Sequence, residues 1–178
     1  MKTKILALIT GSMLASSIGF AAPISDASPG QTTVGYNHYS LSHSTDNDNF
    51  YLENALSDKF TVGIEQNNNS AGNADWKTTD VYAQYKVEPN IRLILGNRNY
   101  DYGNVSNKVF YGVGVNTTLA PKLDGYASVI TNSTTTEWQT GVNYALSNKV
   151  GVNVNYKSNK DKNDVTYNGL GVGVNYKF

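Results

Sequence analysis

The last ten residues of the chain alternate strictly between apolar side chains and small or polar ones. The apolar residues are Leu170, Val172, Val174, Tyr176 and Phe178, and glycine, asparagine or lysine stands between them. Because successive side chains of a strand point to opposite faces, this pattern predicts a β-strand with one apolar and one polar face. The terminal strand therefore requires an apolar environment on one side only.

A short turn pattern recurs four times upstream, at intervals of roughly 30 residues. Each copy has three turn-forming residues between two apolar residues. The copies are Leu56–Phe60, Val87–Ile91, Leu119–Leu123 and Leu146–Val150. A repeat of this period indicates one structural unit used several times, and here the unit is a hairpin.

Five longer polar clusters alternate with the four turns, and together they delimit ten strands. The clusters are His43–Asn49, Asn67–Asp75, Tyr100–Asn107, Asn132–Thr136 and Ser158–Asp164. We place the strands at 32–42, 49–56, 60–67, 76–87, 91–100, 108–119, 123–132, 137–146, 150–158 and 165–178. Most match the roughly 9 to 11 residues of a transmembrane strand. Eight strands, reached by merging two hairpins, are the alternative.

One face of the predicted strands is apolar and almost free of charge. Its members include Val62, Ile64, Val81, Leu93, Leu95, Val113, Val142, Val152 and Val154. Tyr36, Tyr85, Tyr111, Trp138, Tyr144, Tyr156, Tyr176 and Phe178 are placed to form aromatic girdles. A soluble β-sandwich, the alternative, would carry charged residues on its exposed face. The pattern favours strands that face lipid.

The first 31 residues carry two further signals. Lys2 and Lys4, an apolar run to Phe20 and small residues at its end predict a signal peptide cleaved after Ala21 or Ala22. We therefore assign residues 1–21 to the signal peptide and 22–178 to one domain. The aperiodic segment to about Gly30 predicts a flexible lead-in.

The first strand is irregular, because its apolar residues change phase. Val34 and Tyr36 share one face, whereas Tyr39 and Leu41 share the other. A β-bulge near Asn37 and His38 would account for the change.

The terminal strand resembles the C-terminal signal of bacterial outer-membrane β-barrels. The resemblance rests on Phe178 with Val172, Val174 and Tyr176 before it, the residues that the barrel-assembly machinery reads in that family. It implies an all-β, closed, antiparallel up-and-down transmembrane barrel in outer-membrane lipid. An even strand count places both termini on the side of the tight turns, the periplasm in that family. The uniform apolar face makes a monomer the expected state.

Composition excludes several classes of function. Basic and acidic residues number 14 each, so neither nucleic acid nor an electrostatic membrane anchor is the expected partner. The absence of cysteine excludes disulfides, thiolate catalysis and cysteine metal sites. We expect no cofactor and no metal ion.

The face opposite the apolar one carries five acids and five bases, which we assign to the lumen. They are Glu53, Glu65, Asp80, Asp124, Glu137, Lys86, Arg92, Arg98, Lys157 and Lys177. Buried charges must pair, so one interpretation is a closed plug of ion pairs. The other is a narrow path for ions and very small solutes, with Arg92 and Arg98 as candidate selectivity contacts.

Three functions fit a small barrel of this kind. The first is a structural or narrow porin-like role. The second is surface adhesion through the five loops, as in the opacity-type proteins and small adhesins that the resemblance includes. The third is lipid modification, which would need a nucleophile beside a histidine. Only His38 and His43 exist, close to Ser40, Ser42 and Ser44, and we expect no enzyme.

Overall fold

The computed structural model describes residues 23–24, 26–101, 105–161 and 165–178. Ten β-strands make up most of this part of the chain. They are β1 Thr32–Leu41, β2 Thr45–Ala55, β3 Phe60–Ala71, β4 Ala74–Glu88, β5 Ile91–Asp101, β6 Val105–Ala120, β7 Leu123–Thr131, β8 Thr135–Ala145, β9 Val150–Asp161 and β10 Thr166–Lys177. No helix in the described ranges is long and apolar enough to cross a membrane. The predicted signal peptide, residues 1–21, lies outside them.

The strands form one closed antiparallel barrel in which each strand pairs with its neighbours in sequence. β1 pairs with β10 to close the ring, with Val34 opposite Tyr176 and His38 opposite Val172. Two further backbone hydrogen bonds connect the ends of these strands. The Phe178 amide donates to the Thr32 carbonyl and the Thr32 amide donates to the Phe178 carbonyl, both at 2.9 Å. The predicted ten-stranded barrel is confirmed, and the eight-stranded alternative is wrong.

The four predicted tight turns connect β2 to β3, β4 to β5, β6 to β7 and β8 to β9. They lie at the same end of the barrel as the start of β1 and the end of β10, and we call this the turn end. The connections after β1, β3, β5, β7 and β9 lie at the opposite end, the loop end. In two turns a serine hydroxyl accepts a hydrogen bond from the backbone amide of the first residue of the next strand. The Phe60 amide donates to Ser57, and the Val150 amide donates to Ser147.

Strands extend further towards the loop end than the sequence predicted. β4 and β6 contain 15 and 16 residues, and much of the polar clusters is strand rather than loop. β3 and β4 continue to Ala71 and Ala74, so that only Gly72 and Asn73 remain between them. Polar side chains do not interrupt the backbone ladder, because paired strands satisfy their own amides and carbonyls. The loops are correspondingly shorter than predicted.

The predicted bulge in β1 is wrong, since β1 pairs without interruption with both neighbours from Thr33 to Leu41. Tyr39 is instead a buried residue that faces the lumen, and Leu41 lines a cavity at the loop end. The phase change therefore reflects apolar residues on the inner wall. Register shifts occur elsewhere, beside tight turns, at Lys86/Glu88 and Thr118/Ala120.

The outer surface carries a continuous band of exposed apolar side chains. Val154, for example, stands between Val142 of β8 and Val172 of β10. Aromatic pairs accompany the band, with ring centroids 4.8 Å apart for Tyr36 and Phe50 and 5.1 Å apart for Trp138 and Tyr156. Large exposed members of the band include Leu52, Ile64, Val81, Leu93, Leu95, Tyr111, Tyr144, Val154, Leu170, Val172 and Val174.

Candidate functional site

The lumen is filled with polar and aromatic side chains, and the ten predicted charged residues contribute to it. Seven of them are buried: Glu53, Glu65, Asp80, Arg92, Arg98, Glu137 and Lys157. The other three, Lys86, Asp124 and Lys177, are partly exposed towards the turn end. Buried charges require hydrogen-bonding or charged partners. Glu53 accepts from Tyr82 and Gln84, at 3.0 and 2.6 Å, and most of the other charged residues belong to two separate clusters.

Arg98 on β5 is the centre of the first cluster. Its Nε and Nη2 atoms donate to the two carboxylate oxygens of Asp80, at 2.7 and 2.6 Å. Its Nη1 forms an ion pair with Glu137 on β8, across the lumen. The guanidinium carbon also lies 5.9 and 5.7 Å from the ring centroids of Tyr100 and Phe110. All three charged side chains are at most 2% exposed, so one cation joins β4, β5 and β8 at a buried site.

Lys157 on β9 is the second buried cation on this side of the lumen. Its Nζ donates to Asn47 and Asn67, at 3.0 and 3.2 Å, and lies 4.5 Å from the ring centroid of Tyr39. Asn67 in turn donates to Glu65 at 3.0 Å. The lysine and the Glu65 carboxylate are thus joined through a shared amide.

A chain of amide side chains runs along the lumen wall from β8 to β3. Every link has the same direction, and the last acceptor is a carboxylate, so each bond polarises the next. The links are Gln139 to Asn155 (3.0 Å), Asn155 to Asn153 (2.6 Å), Asn153 to Asn37 (2.8 Å), Asn37 to Asn49 (2.9 Å) and Asn49 to Glu65 (2.6 Å). We call these residues the amide chain.

Glycines create the room that these side chains need. Asn153 of β9 and Asn37 of β1 meet over Gly173 of β10, where a Cβ would collide with both. Aromatic rings cover other inward glycines in the same way, and a Cβ at Gly35 or Gly63 would overlap the ring on the adjacent strand. The covering pairs are Gly35 with Tyr51, Gly63 with Tyr82, Gly96 with Phe110 and Gly171 with Tyr39. The glycines therefore close the lumen, rather than leaving empty space.

Asp26 forms the second cluster, at the turn end. It precedes β1, and its carboxylate accepts from Lys86 at 2.5 Å, Arg92 at 2.7 Å and Asn116 at 3.1 Å. Its backbone carbonyl accepts from Lys177 at 2.8 Å. These contacts join the segment before β1 to strands β4, β5, β6 and β10, so the prediction of a flexible lead-in is wrong.

Ile24 anchors the same segment inside the lumen. Its side chain is 1% exposed and packs with Tyr51, Tyr82, Ile94, Phe110, Tyr126 and Ile130 in the buried apolar cluster. Its carbonyl accepts from Asn143 of β8 at 3.1 Å. We call the described residues from Pro23 to Gly30 the N-terminal segment, which enters the lumen from the turn end.

The docking of the N-terminal segment is expected to depend on pH. Burial raises the pKa of the Asp26 carboxyl, but the hydrogen bond from Lys86 and the charges of Arg92 and Lys86 outweigh it, so the pKa lies below its ordinary value. Asp26 therefore stabilises docking above its ordinary pKa of about 4, and this stabilisation is lost as the pH falls through the lowered pKa. A nitroxide on Ser28→Cys should be immobile at neutral pH and mobile in acid by electron paramagnetic resonance.

The matched variants separate Asp26 from general acid effects. Asp26→Asn should mobilise the nitroxide at neutral pH. Asp124→Asn should not, because Asp124 lies at the same end but accepts from Thr118 at 2.8 Å and does not hold the segment. An immobile nitroxide in Asp26→Asn would show that Ile24 alone holds the segment.

The two surfaces of the barrel are opposite in character. The lumen contains buried charges and amides, whereas the exterior exposes Leu95, Tyr111 and Leu170 to 60% or more. A closed barrel with this inside-to-outside reversal is suited to lipid, where the ladder satisfies every backbone group and the apolar band faces the hydrocarbon. The chain has the fold of a small transmembrane β-barrel.

No family model and no curated protein matches the sequence. Solved structures with a similar course of the chain include the N-terminal β-barrel domain of Pseudomonas aeruginosa OprF, at 9% identity and a TM-score of 0.48, covering 85% of this barrel and all of that domain. Neisserial surface protein A has 19% identity and a TM-score of 0.39, and the match covers 86% of this chain and 100% of that protein's chain. Ail, the attachment invasion locus protein of Yersinia pestis, has 12% identity and a TM-score of 0.37, and the match covers 84% of this chain and 99% of Ail.

A cavity of about 340 Å³ lies at the loop end of the barrel. Arg98 and Lys157 contribute to its lining, and Trp76 and Tyr167 line it from β4 and β10. The rings of these two aromatic residues approach to 5.8 Å between centroids, and His43 lies 5.6 Å from Tyr167. The strands that carry Trp76 and Tyr167 are separated by β1, β2 and β3, so the pair reaches across part of the barrel mouth.

Ser42 and the two histidines near β1 each contact a neighbouring polar group. Ser42 donates to the Thr166 carbonyl at 3.1 Å, and His43 Nδ1 lies 3.2 Å from the Ser42 hydroxyl. His38 is paired with Asp48 at 3.0 Å on the exposed outer face. No group of three histidine or acidic residues in the described ranges could hold a metal ion.

Several residues that shape the lumen have no local signal in the sequence. Ile24 and Asp26 lie in a segment without periodicity, so no local pattern indicated their docking. The phase change at Tyr39 predicts a bulge, whereas in the structure it reflects an aromatic side chain that faces the lumen. Trp76 and Tyr167 gave no signal, because their contact depends on barrel closure.

Proposed function

We propose that this protein is a structural outer-membrane barrel with a narrow lumen that is closed at rest and admits, when opened, only ions and very small solutes. The Arg98 cluster is the observation that carries the proposal, because its three charged side chains fill the lumen with groups that are at most 2% exposed. Barrels of about eight strands are filled by their own side chains, whereas those of sixteen or more leave a channel. Ten strands stand near the filled end.

The N-terminal segment supports the proposal as a second closure. Arg92 connects it to the barrel by donating to Asp26 at 2.7 Å and to Gln84 at 3.1 Å. A solute would therefore have to pass both this segment and the Arg98 cluster. In the proposed orientation the turn end and both termini face the periplasm, and the barrel is a monomer surrounded by lipid.

The test is single-channel conductance of refolded protein in planar bilayers, with Arg92→Ala, Arg98→Ala and the double variant. We expect the wild type to be silent or nearly so at neutral pH, and each single variant to remain close to it. The double variant loosens both closures and should conduct. Its current should favour cations, because Asp80 and Glu137 then lack the guanidinium that pairs with them.

Folding must be verified for each sample by heat-dependent gel mobility. Steady conductance of the wild type would overturn the proposal that the lumen is closed at rest. Silence of a folded double variant would overturn the porin-like part and leave a purely structural barrel.

A second candidate function is surface binding at the loop end. The observation in its favour is the cavity of about 340 Å³ enclosed by strands that continue beyond the apolar band. We propose no catalytic role for either end. If binding is the function, changes at the loop end should abolish attachment to cells or ligands without altering envelope permeability.

A further inference from the structure

We propose that the loop-end cavity binds a neutral saccharide of one or two sugar units. The inference rests on the binding function proposed for the loop end and is independent of conduction through the lumen. The volume of about 340 Å³ lies at the lower limit of the roughly 300–1,000 Å³ typical of small-molecule sites. The cavity therefore suits a small ligand rather than a protein segment.

Flat aromatic surfaces form one part of the cavity. Trp76 and Tyr167 line it with neighbouring rings, inclined at 53° to each other, and both side chains are only partly buried. A sugar ring presents an apolar face of C–H groups that packs on such rings. Tyrosine and tryptophan also combine this apolar surface with a polar group at one edge.

Neutral polar groups form most of the remaining wall. They belong to Asn69, Asn159, Thr78, Ser106, Thr134 and Thr135. Amides and hydroxyls supply both donors and acceptors, which a sugar needs because each of its hydroxyls is at once donor and acceptor. A purely anionic ligand would require donors alone.

The cations in the wall are already engaged by protein groups. Arg98 uses Nε, Nη1 and Nη2 for Asp80 and Glu137. Lys157 donates to Asn47 and Asn67 and lies over the ring of Tyr39. Recruiting either cation to an anion would break buried contacts, which is costly, and the lining also contains the acidic residue Asp161. The charge arrangement therefore favours an uncharged sugar.

Trp76 provides a direct probe, because the chain has two tryptophans and the other, Trp138, packs on Tyr156 of the outer face. The Trp138→Phe protein isolates the fluorescence of Trp76. It should be titrated in amine-oxide detergent, since glycoside detergents carry a competing sugar, with glucose, N-acetylglucosamine, maltose and lactose. At least one sugar should give a saturable change, and Tyr167→Ala in this background should weaken binding about tenfold or more.

Two controls establish where the signal arises. Tyr144→Ala removes an exposed aromatic residue of the outer band and should leave the affinity unchanged. Trp76→Phe leaves only Trp138 and should show no saturable change.

Three results would overturn the saccharide site. They are the absence of a response to every neutral sugar in folded protein, an equal response in Trp76→Phe, and tighter binding of sialic acid or sulfated sugars than of neutral ones. Attachment to cells that persists without a sugar response would reject the saccharide site alone and leave the broader binding function in place.

Discussion

Arg98→Ala is expected to lower the free energy of unfolding by about 3–5 kcal/mol, the largest loss of any single substitution considered. The reason is that two buried carboxylates lose the cation that neutralises them. The side chains of Asp80 and Glu137 are at most 2% exposed, and the substitution removes the guanidinium that pairs with both carboxylates. Protein refolded into phospholipid vesicles and titrated with urea, with tryptophan fluorescence as the signal, gives the measurement.

Two matched proteins test this explanation. Lys59→Ala removes an exposed cation from a tight turn and should change stability by less than about 0.5 kcal/mol. The triple variant Asp80→Asn/Arg98→Met/Glu137→Gln removes all three charges and should recover most of the stability, because an uncharged site has no desolvated ion to stabilise. A single variant within about 1 kcal/mol of the wild type would show that water reaches the site.

Val154→Arg is expected to cost about 2–4 kcal/mol, since it places a charge in the middle of the apolar band. Val154 is 51% exposed on the outer surface, between Val142 and Val172 on the neighbouring strands. In water an exposed arginine at such a position would be harmless. The same urea titration in vesicles therefore tests whether lipid surrounds this surface.

The same substitution outside the band is the control. Asn99 lies on the outer face four residues beyond Leu95 on β5, towards the loop end, and its neighbours on β4 and β6 are the polar residues Thr79 and Asn107. Asn99→Arg should cost no more than about 1 kcal/mol, the value expected near the membrane interface. Equal effects of the two substitutions would contradict the position of the band.

Strand number and turn positions could be predicted because both depend on local patterns. Alternation identifies each strand, and the recurring turns at 56–60 and 146–150 separate them without any knowledge of the closed barrel. Strand ends were less predictable, because asparagine and threonine are equally compatible with a loop and with a solvated ladder. Only the pairing of β3 with β4, as far as Ala71 opposite Ala74, distinguishes the two.

The contacts inside the lumen also divide into those that follow from a local pattern and those that depend on the closed barrel. Asp80 lies opposite Arg98 in the β4–β5 hairpin, so this pair follows from the hairpin register once the turn is placed. The contact between Arg98 and Glu137 crosses the lumen, and it depends on barrel diameter and stagger, which no local pattern encodes. The docking of Asp26 on Arg92 depends on both the closed barrel and the path of an aperiodic segment.

At Gly173, the side chains of the two neighbouring strands meet over the backbone of β10, the strand that closes the barrel. Asn37 of β1 and Asn153 of β9 join over its backbone, so the amide chain passes β10 without using a side chain from it. Strand β10 thus supplies hydrogen-bonded backbone and outer surface, while the adjacent strands provide the inner lining at that point. A methyl group added at Gly173 would push apart two residues that are neither in its own strand nor adjacent in sequence.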